Sequence, residues 1–115
     1  MDMQATMTTK LDEARAAAFA DEIGRTLNAG AVAVMISIGH RTGLFDVLAR
    51  MAPASSSAVA ATAQLAERYV REWLAVMVSG GIVTYDPDRR TYALPAEHAA
   101  CLTRDGALGN LAVYA

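Results

Sequence analysis

The sequence predicts a mainly α fold: a winged helix-turn-helix with a two-stranded wing, preceded by additional N-terminal helices. Three observations carry this. An apolar stripe of helical period runs through residues 67–79 and stops at Gly80-Gly81. A short Ala-rich helix, 58–63, precedes it across a turn at Gln64-Leu65. A hairpin pattern follows: Ile82-Val83-Thr84-Tyr85, a turn at Asp86-Pro87-Asp88-Arg89, then Arg90-Thr91-Tyr92-Ala93-Leu94.

Taken from the N-terminus, residues 1–9 read as a disordered tail, polar and without the apolar core of a signal peptide. Thr9 with Asp12 three residues on reads as a capping box that opens a helix. In that helix Ala16, Phe19, Ala20, Ile23 and Leu27 share one stripe, and Asp12, Arg15, Asp21, Glu22 and Arg25 fall mostly opposite. Asn28 and Gly30 are expected to break or bend the chain.

Residues 31–41 differ. Ala31, Val32, Ala33, Val34, Met35, Ile36 and Ile38 leave almost no polar face, and a helix apolar all round must be covered all round. One chain of 115 residues has few elements to spare for that. Val32, Val34, Met35, Ile36 and Ile38 are therefore expected to meet a second subunit or a further domain. The run 29–38 is about half of the ~20 residues that a membrane-spanning helix requires.

Gly43 can end this helix, and Leu44, Phe45, Val47 and Leu48 mark another over 44–49. Residues 52–57 form a loop in which one serine caps the helix at Ala58. In the 67–79 helix Val70, Trp73, Leu74, Met77 and Val78 make the core-facing stripe. After the wing, Pro95 starts a helix over 95–103, and Asp105-Gly106 turns the chain. Residues 108–115 are apolar and lack a capping signal. They read as the opening of a linker or helix toward another domain, so residues 10–104 are the expected domain and 105–115 the start of that connection.

Charge decides how the helix-turn-helix is used. The chain carries ten basic and twelve acidic side chains, whereas phosphate binding needs clustered Lys and Arg. Residues 58–94 hold four of each sign. Glu67 stands four residues before Arg71 and Arg68 four before Glu72, so the outward arginines of the second helix already have partners. A major-groove reader presents unpaired Arg, Lys, Asn or Gln instead. Arg89 and Arg90 at the wing tip are offset by Asp86 and Asp88. The alternative, a winged-helix DNA-binding transcriptional regulator, is therefore the weaker reading.

Little catalytic chemistry is present. His40, at the polar end of the apolar helix, is read as a C-terminal capping cation, or alternatively as a proton-transfer or substrate-contact residue. His98 and Cys101 lie three apart but lack a second ligand pair, so a core cysteine beside a surface histidine is expected and no metal is assigned. The serines 55–57 lack a nucleophile elbow. Trp73, Tyr69, Tyr85 and Tyr92 read mainly as packing, and no nucleotide-binding glycine motif appears. No catalytic, cofactor-binding or metal residue follows from these positions. The lone cysteine, Cys101, excludes an intrachain disulfide and suits a reducing cytoplasm.

Four strings carry a family resemblance: Ile38-Gly39-His40-Arg41-Thr42-Gly43-Leu44-Phe45-Asp46, Glu67-Arg68-Tyr69-Val70-Arg71-Glu72-Trp73-Leu74, Gly80-Gly81-Ile82-Val83 and Leu94-Pro95-Ala96-Glu97-His98-Ala99-Ala100. In that order, over about residues 31–104, they resemble the N-terminal helical domain of class I S-adenosylmethionine-dependent methyltransferases of the actinobacterial type. The resemblance implies a winged helix that dimerises and covers the substrate cavity of a following catalytic domain. It implies a homodimer, S-adenosylmethionine in the full-length protein and a small-molecule substrate, with no DNA and no membrane. His40, Arg41 and Tyr69 become candidate substrate-facing positions. The glycine-rich, acid-bearing cofactor loop of the family has no counterpart in these 115 residues.

Overall fold

The computed structural model describes residues 10–115, so the expected tail at 1–9, including Thr9, lies outside the described residues. The first helix, α1, runs Glu13–Thr42. Asp12 itself is its cap, accepting the Arg15 N–H at 3.1 Å, which corrects the capping box expected from Thr9. The expected break at Asn28 and Gly30 is also absent, because α1 is continuous through both. Gly in a helix interior costs only about 1 kcal/mol against Ala, and Asn less. Breaking the helix would strand two new sets of terminal N–H and C=O groups, a larger penalty.

At its far end α1 stops at Gly43, which adopts φ 76° and returns its N–H to Gly39 and His40. Helix α2, Leu44–Arg50, then leaves at a sharp angle, and α3, Ser56–Ala63, is capped by Ser55, whose Oγ accepts the Ala58 N–H. Gln64 in the left-handed region turns the chain into α4, Glu67–Ser79. Ser56 Oγ donates to Glu67 Oε2 at 2.6 Å and ties α3 to the start of α4.

The wing pairs β1, Thr84–Asp86, with β2, Thr91–Ala93, in the register Thr84↔Ala93, Tyr85↔Tyr92, Asp86↔Thr91. The expected first strand began earlier, at Ile82. Instead, the N–H groups of Ile82 and Val83 both bond to Met77 O and close the end of α4. At the tip Asp86 Oδ1 accepts from Asp88 and Arg89, and Arg90 takes φ 54°. Ala54 bridges Tyr92 through two backbone hydrogen bonds, so the loop before α3 lends the wing a third edge. Tyr85 and Tyr92 stack across the strands at 4.7 Å, and burial, reinforced by Tyr85, pushes the Tyr92 phenol above its ordinary range.

The helix expected over 95–103 is α-helical only as α5, Ala96–Ala99, with turns beyond. Beyond it the N–H groups of Cys101 and Leu102 turn to the tighter i−3 carbonyls of His98 and Ala99, and Thr103 Oγ1 also donates to Ala99 O; past these, Ala100 O accepts Leu108 N and Cys101 O accepts Leu111 N. Residues 105–115 thus fold back on the domain and end in a 3-10 helix, Leu111–Tyr114. The cap that the sequence did not reveal is Asn110, whose side chain accepts the Ala112 N–H.

The core lies among α2, α3, α4 and the underside of α1. Trp73, Phe45, Leu74, Met77, Val59 and Val70 are its fully buried side chains. The stripe expected on α4 faces it, with Val78 at its half-buried rim. Trp73 Nε1 donates to the α1 carbonyl of Met35 at 2.8 Å, and Phe45 meets Trp73 edge-on at 5.2 Å. Gly39 is the point of closest approach: a Cβ there would lie 2.5 Å from Trp73 Cζ2 and 2.6 Å from Phe45 Cε2. Gly39→Ala is therefore expected to destabilise the domain by about 1–3 kcal/mol through overpacking. Gly30→Ala, with open space around it, should stabilise by about 0.5–1 kcal/mol through helix propensity. Urea unfolding of the two variants checks the opposite signs.

Candidate functional site

The long helix presents two apolar faces. Val32, Met35 and Ile36 are half-buried against the chain's own core, on the side that carries Gly39. At about 100° per residue, Phe19, Ile23, Leu27, Val34 and Ile38 fall within one arc about 100° wide on the opposite side. Their exposures run from 40% to 69%. The five residues singled out from the sequence thus divide: three are covered within the chain, and Val34 and Ile38 remain uncovered. The stripe continues them along the half of α1 that projects from the body. Overall dimensions are 67 × 32 × 23 Å with a radius of gyration of 20.0 Å, against about 13 Å for a compact chain of this size.

A small cleft of about 140 Å³ opens where the end of α1 meets the start of α4, lined chiefly by Ile38, Leu44, Leu65, Tyr69, Val70 and Trp73. Nearly all of its wall is carbon, and Tyr69, 69% exposed, stands at its edge. His40 and Arg41 are not among its lining residues, so the structure does not bring the three candidate substrate-facing residues together. Arg41 is exposed.

His40 belongs instead to a junction among α1, α2 and the C-terminal segment. The last carbonyls of α1 are capped by the Gly43 N–H and by Arg104, whose Nη2 donates to His40 O at 2.8 Å. Arg104 also pairs with the Asp46 carboxylate through Nη1, and its backbone N–H donates to Asp46 Oδ1 at 2.9 Å. The His40 ring is therefore not the capping cation; its Nδ1 lies 3.2 Å from the Asn110 carboxamide nitrogen. Asp46 and Arg104 are 58 residues apart, and no local spacing rule announces such a pair.

On α4 the outward charges pair as the spacing requires, Arg71 with Glu67 and Arg68 with Glu72. His98 is half-buried rather than superficial, because its Nδ1–H donates to Ile82 O at 2.7 Å and holds the hairpin to α5. Cys101 is likewise half-buried, its thiol on His98 O. Among the described residues no group of three or more His, Cys, Asp or Glu is placed to hold a metal ion. No single helix among them is long and apolar enough to cross a membrane.

The Rv2258c-like winged HTH domain matches residues 30–104, most of the chain. The chain belongs to that family. Outside the match lies the projecting half of α1, so the uncovered stripe is shared between the winged HTH domain and its N-terminal extension. Similar solved structures include the mitomycin 7-O-methyltransferase MmcR, with TM-score 0.67 and 20% identity over 76% of this chain and 26% of that one. PigF, solved with SAH, matches with TM-score 0.67 and 25% identity over 82% and 27%. Human N-acetylserotonin methyltransferase, in complex with SAM, matches with TM-score 0.67 and 18% identity over 89% and 29%. This winged HTH domain thus spans little more than a quarter of the length of these structures. No curated protein gives a significant match.

The residues at hand do not fit S-adenosylmethionine. The two strands are three residues each, and neither leads into a glycine-rich loop with an acidic side chain.

The junction makes a quantitative expectation. Asp46→Ala removes the acceptor of the Arg104 N–H and of Nη1, two charge-assisted hydrogen bonds, and should cost about 1–3 kcal/mol. Glu72→Ala, which breaks an exposed pair, should cost no more than about 0.5 kcal/mol. Thermal unfolding at low and high salt separates the two, and only the Glu72 effect should vanish with added salt.

Proposed function

We propose that this winged HTH domain is the N-terminal dimerisation and substrate-capping part of an S-adenosylmethionine-dependent methyltransferase that works in the cytoplasm on a small molecule. Cofactor binding belongs to a catalytic domain outside these residues. The observation that carries the reading is the uncovered stripe Phe19, Ile23, Leu27, Val34 and Ile38. Burying a Phe, Leu, Ile or Val side chain is worth about 1.5–3 kcal/mol, so five in one line favour a polypeptide cover. The balanced charge of α4 and the wing argues against phosphate as the partner. Methyltransferases among the similar folds support the assignment.

In this reading a second copy lays its own stripe against α1, and the carbon-lined cleft beside Tyr69 faces the substrate cavity. The domain contributes apolar contact and exclusion of water, and it holds the acceptor where methyl transfer takes place. Tyr69 is the proposed substrate-facing residue of the cleft.

Sedimentation of the full-length protein tests this. The protein should be a dimer at micromolar concentration, and the double variant Phe19→Glu with Ile23→Glu should be monomeric with unchanged helical circular dichroism and unchanged S-adenosylmethionine binding by calorimetry. A monomeric parent protein, or no cofactor binding by the full-length protein, would overturn the proposal. Duplex DNA binding that weakens by about one log unit per neutralised phosphate per decade of salt would point to a regulator instead.

A further inference from the structure

The carboxamide of Asn110 makes two hydrogen bonds of opposite sense. Its Oδ1 accepts the Ala112 N–H at 3.0 Å and caps the 3-10 helix, and its Nδ2 lies 3.2 Å from His40 Nδ1. Only the oxygen can accept from the amide N–H, so the NH₂ must face the imidazole. An NH₂ only donates. His40 Nδ1 must therefore offer a lone pair, and the ring must be neutral with its proton on Nε2.

We infer that His40 is a protonation-sensitive latch on residues 110–114. A proton added at Nδ1 sets N–H against N–H. The carboxamide then has two courses: it turns over and loses the Ala112 cap, or it withdraws from the ring. Either course loosens the N-terminal cap of the 3-10 helix, which the Leu111 N–H bond to Cys101 O still ties to the domain, and Ala112, 2% exposed against the core, is the residue affected first.

From the C-terminal turn, Arg104 places its guanidinium on His40 O rather than on the ring, and Arg41, next in the chain, is exposed. The carboxylate of Asp46, from α2, is engaged by Arg104. Residues 111–114 bring no carboxylate. Against these cations stands the negative end of α1, whose last carbonyls are already bonded by Gly43 and Arg104. This latch is independent of the methyltransferase reading and stands or falls by itself.

Nitrogen-15 NMR of the histidine rings and backbone amides tests it. Near neutral pH, His40 should show the Nε2–H tautomer. As acidification protonates the ring across the range tested, protection of the Ala112 amide, corrected for intrinsic exchange, should fall about fivefold, the factor expected from one hydrogen bond of about 1 kcal/mol. The amides of Leu74 and Met77 should keep their protection. In Asn110→Ala the Ala112 amide should be unprotected at both ends of the range, and in His40→Phe its response to pH should disappear. An Nδ1–H tautomer, protection indifferent to the titration, or a loss shared with Leu74 and Met77 would each overturn the latch.

Discussion

The fold depends on one close approach, the seating of α1 on Trp73 and Phe45 at Gly39. There the helix backbone lies where any side chain would collide with two aromatic rings, and the indole N–H reaches the carbonyl of Met35. Without a Cβ at that position the rings can press against the backbone itself. The buried indole also finds an acceptor, as a polar group in a core must. The rest of the domain is arranged around this contact. Phe45 is presented by α2, Trp73 by α4, and α3 fills the third side with Val59 and Ala60.

Seating one face of α1 leaves the opposite face uncovered by the described residues. The apolar side chains that made residues 31–38 look buried all round separate, on the 3.6-residue period, into a set on the core and a set in the open. The open set joins a stripe on the projecting half of the helix, where no other described part of the chain reaches. This is the physical basis for reading the domain as one half of an assembly. It agrees with an outward face on α4 whose arginines are already paired with glutamates.

A polar junction is organised at the opposite end of α1. Arg104 makes three hydrogen bonds to two partners, the Asp46 carboxylate by side chain and by backbone, and the carbonyl of His40. Through it the C-terminal segment, α2 and α1 share one hydrogen-bonded junction. His40 and Asn110 extend that junction to the 3-10 helix, so a single imidazole sits where three parts of the chain converge.

Local rules made much of this legible. The span of α4, its buried stripe, its two ion pairs, the Gly43 stop and the serine cap all follow from interactions within four or five residues, and those are written in neighbouring letters. The family strings added the expected role of the domain. Other features depend on partners far along the chain, and these only the tertiary structure decided. Gly30 reads as a breaker until the cost of two new helix ends is weighed. His40 reads as a cap until Arg104 takes that place from 64 residues away. Strand β1 starts late because Met77 claims two N–H groups first, and α5 stops early as the next N–H groups tighten onto i−3 carbonyls where the tail folds back on Ala100 and Cys101. Sequence determined which residues are apolar and at what period; the packed chain determined which of them it could cover by itself.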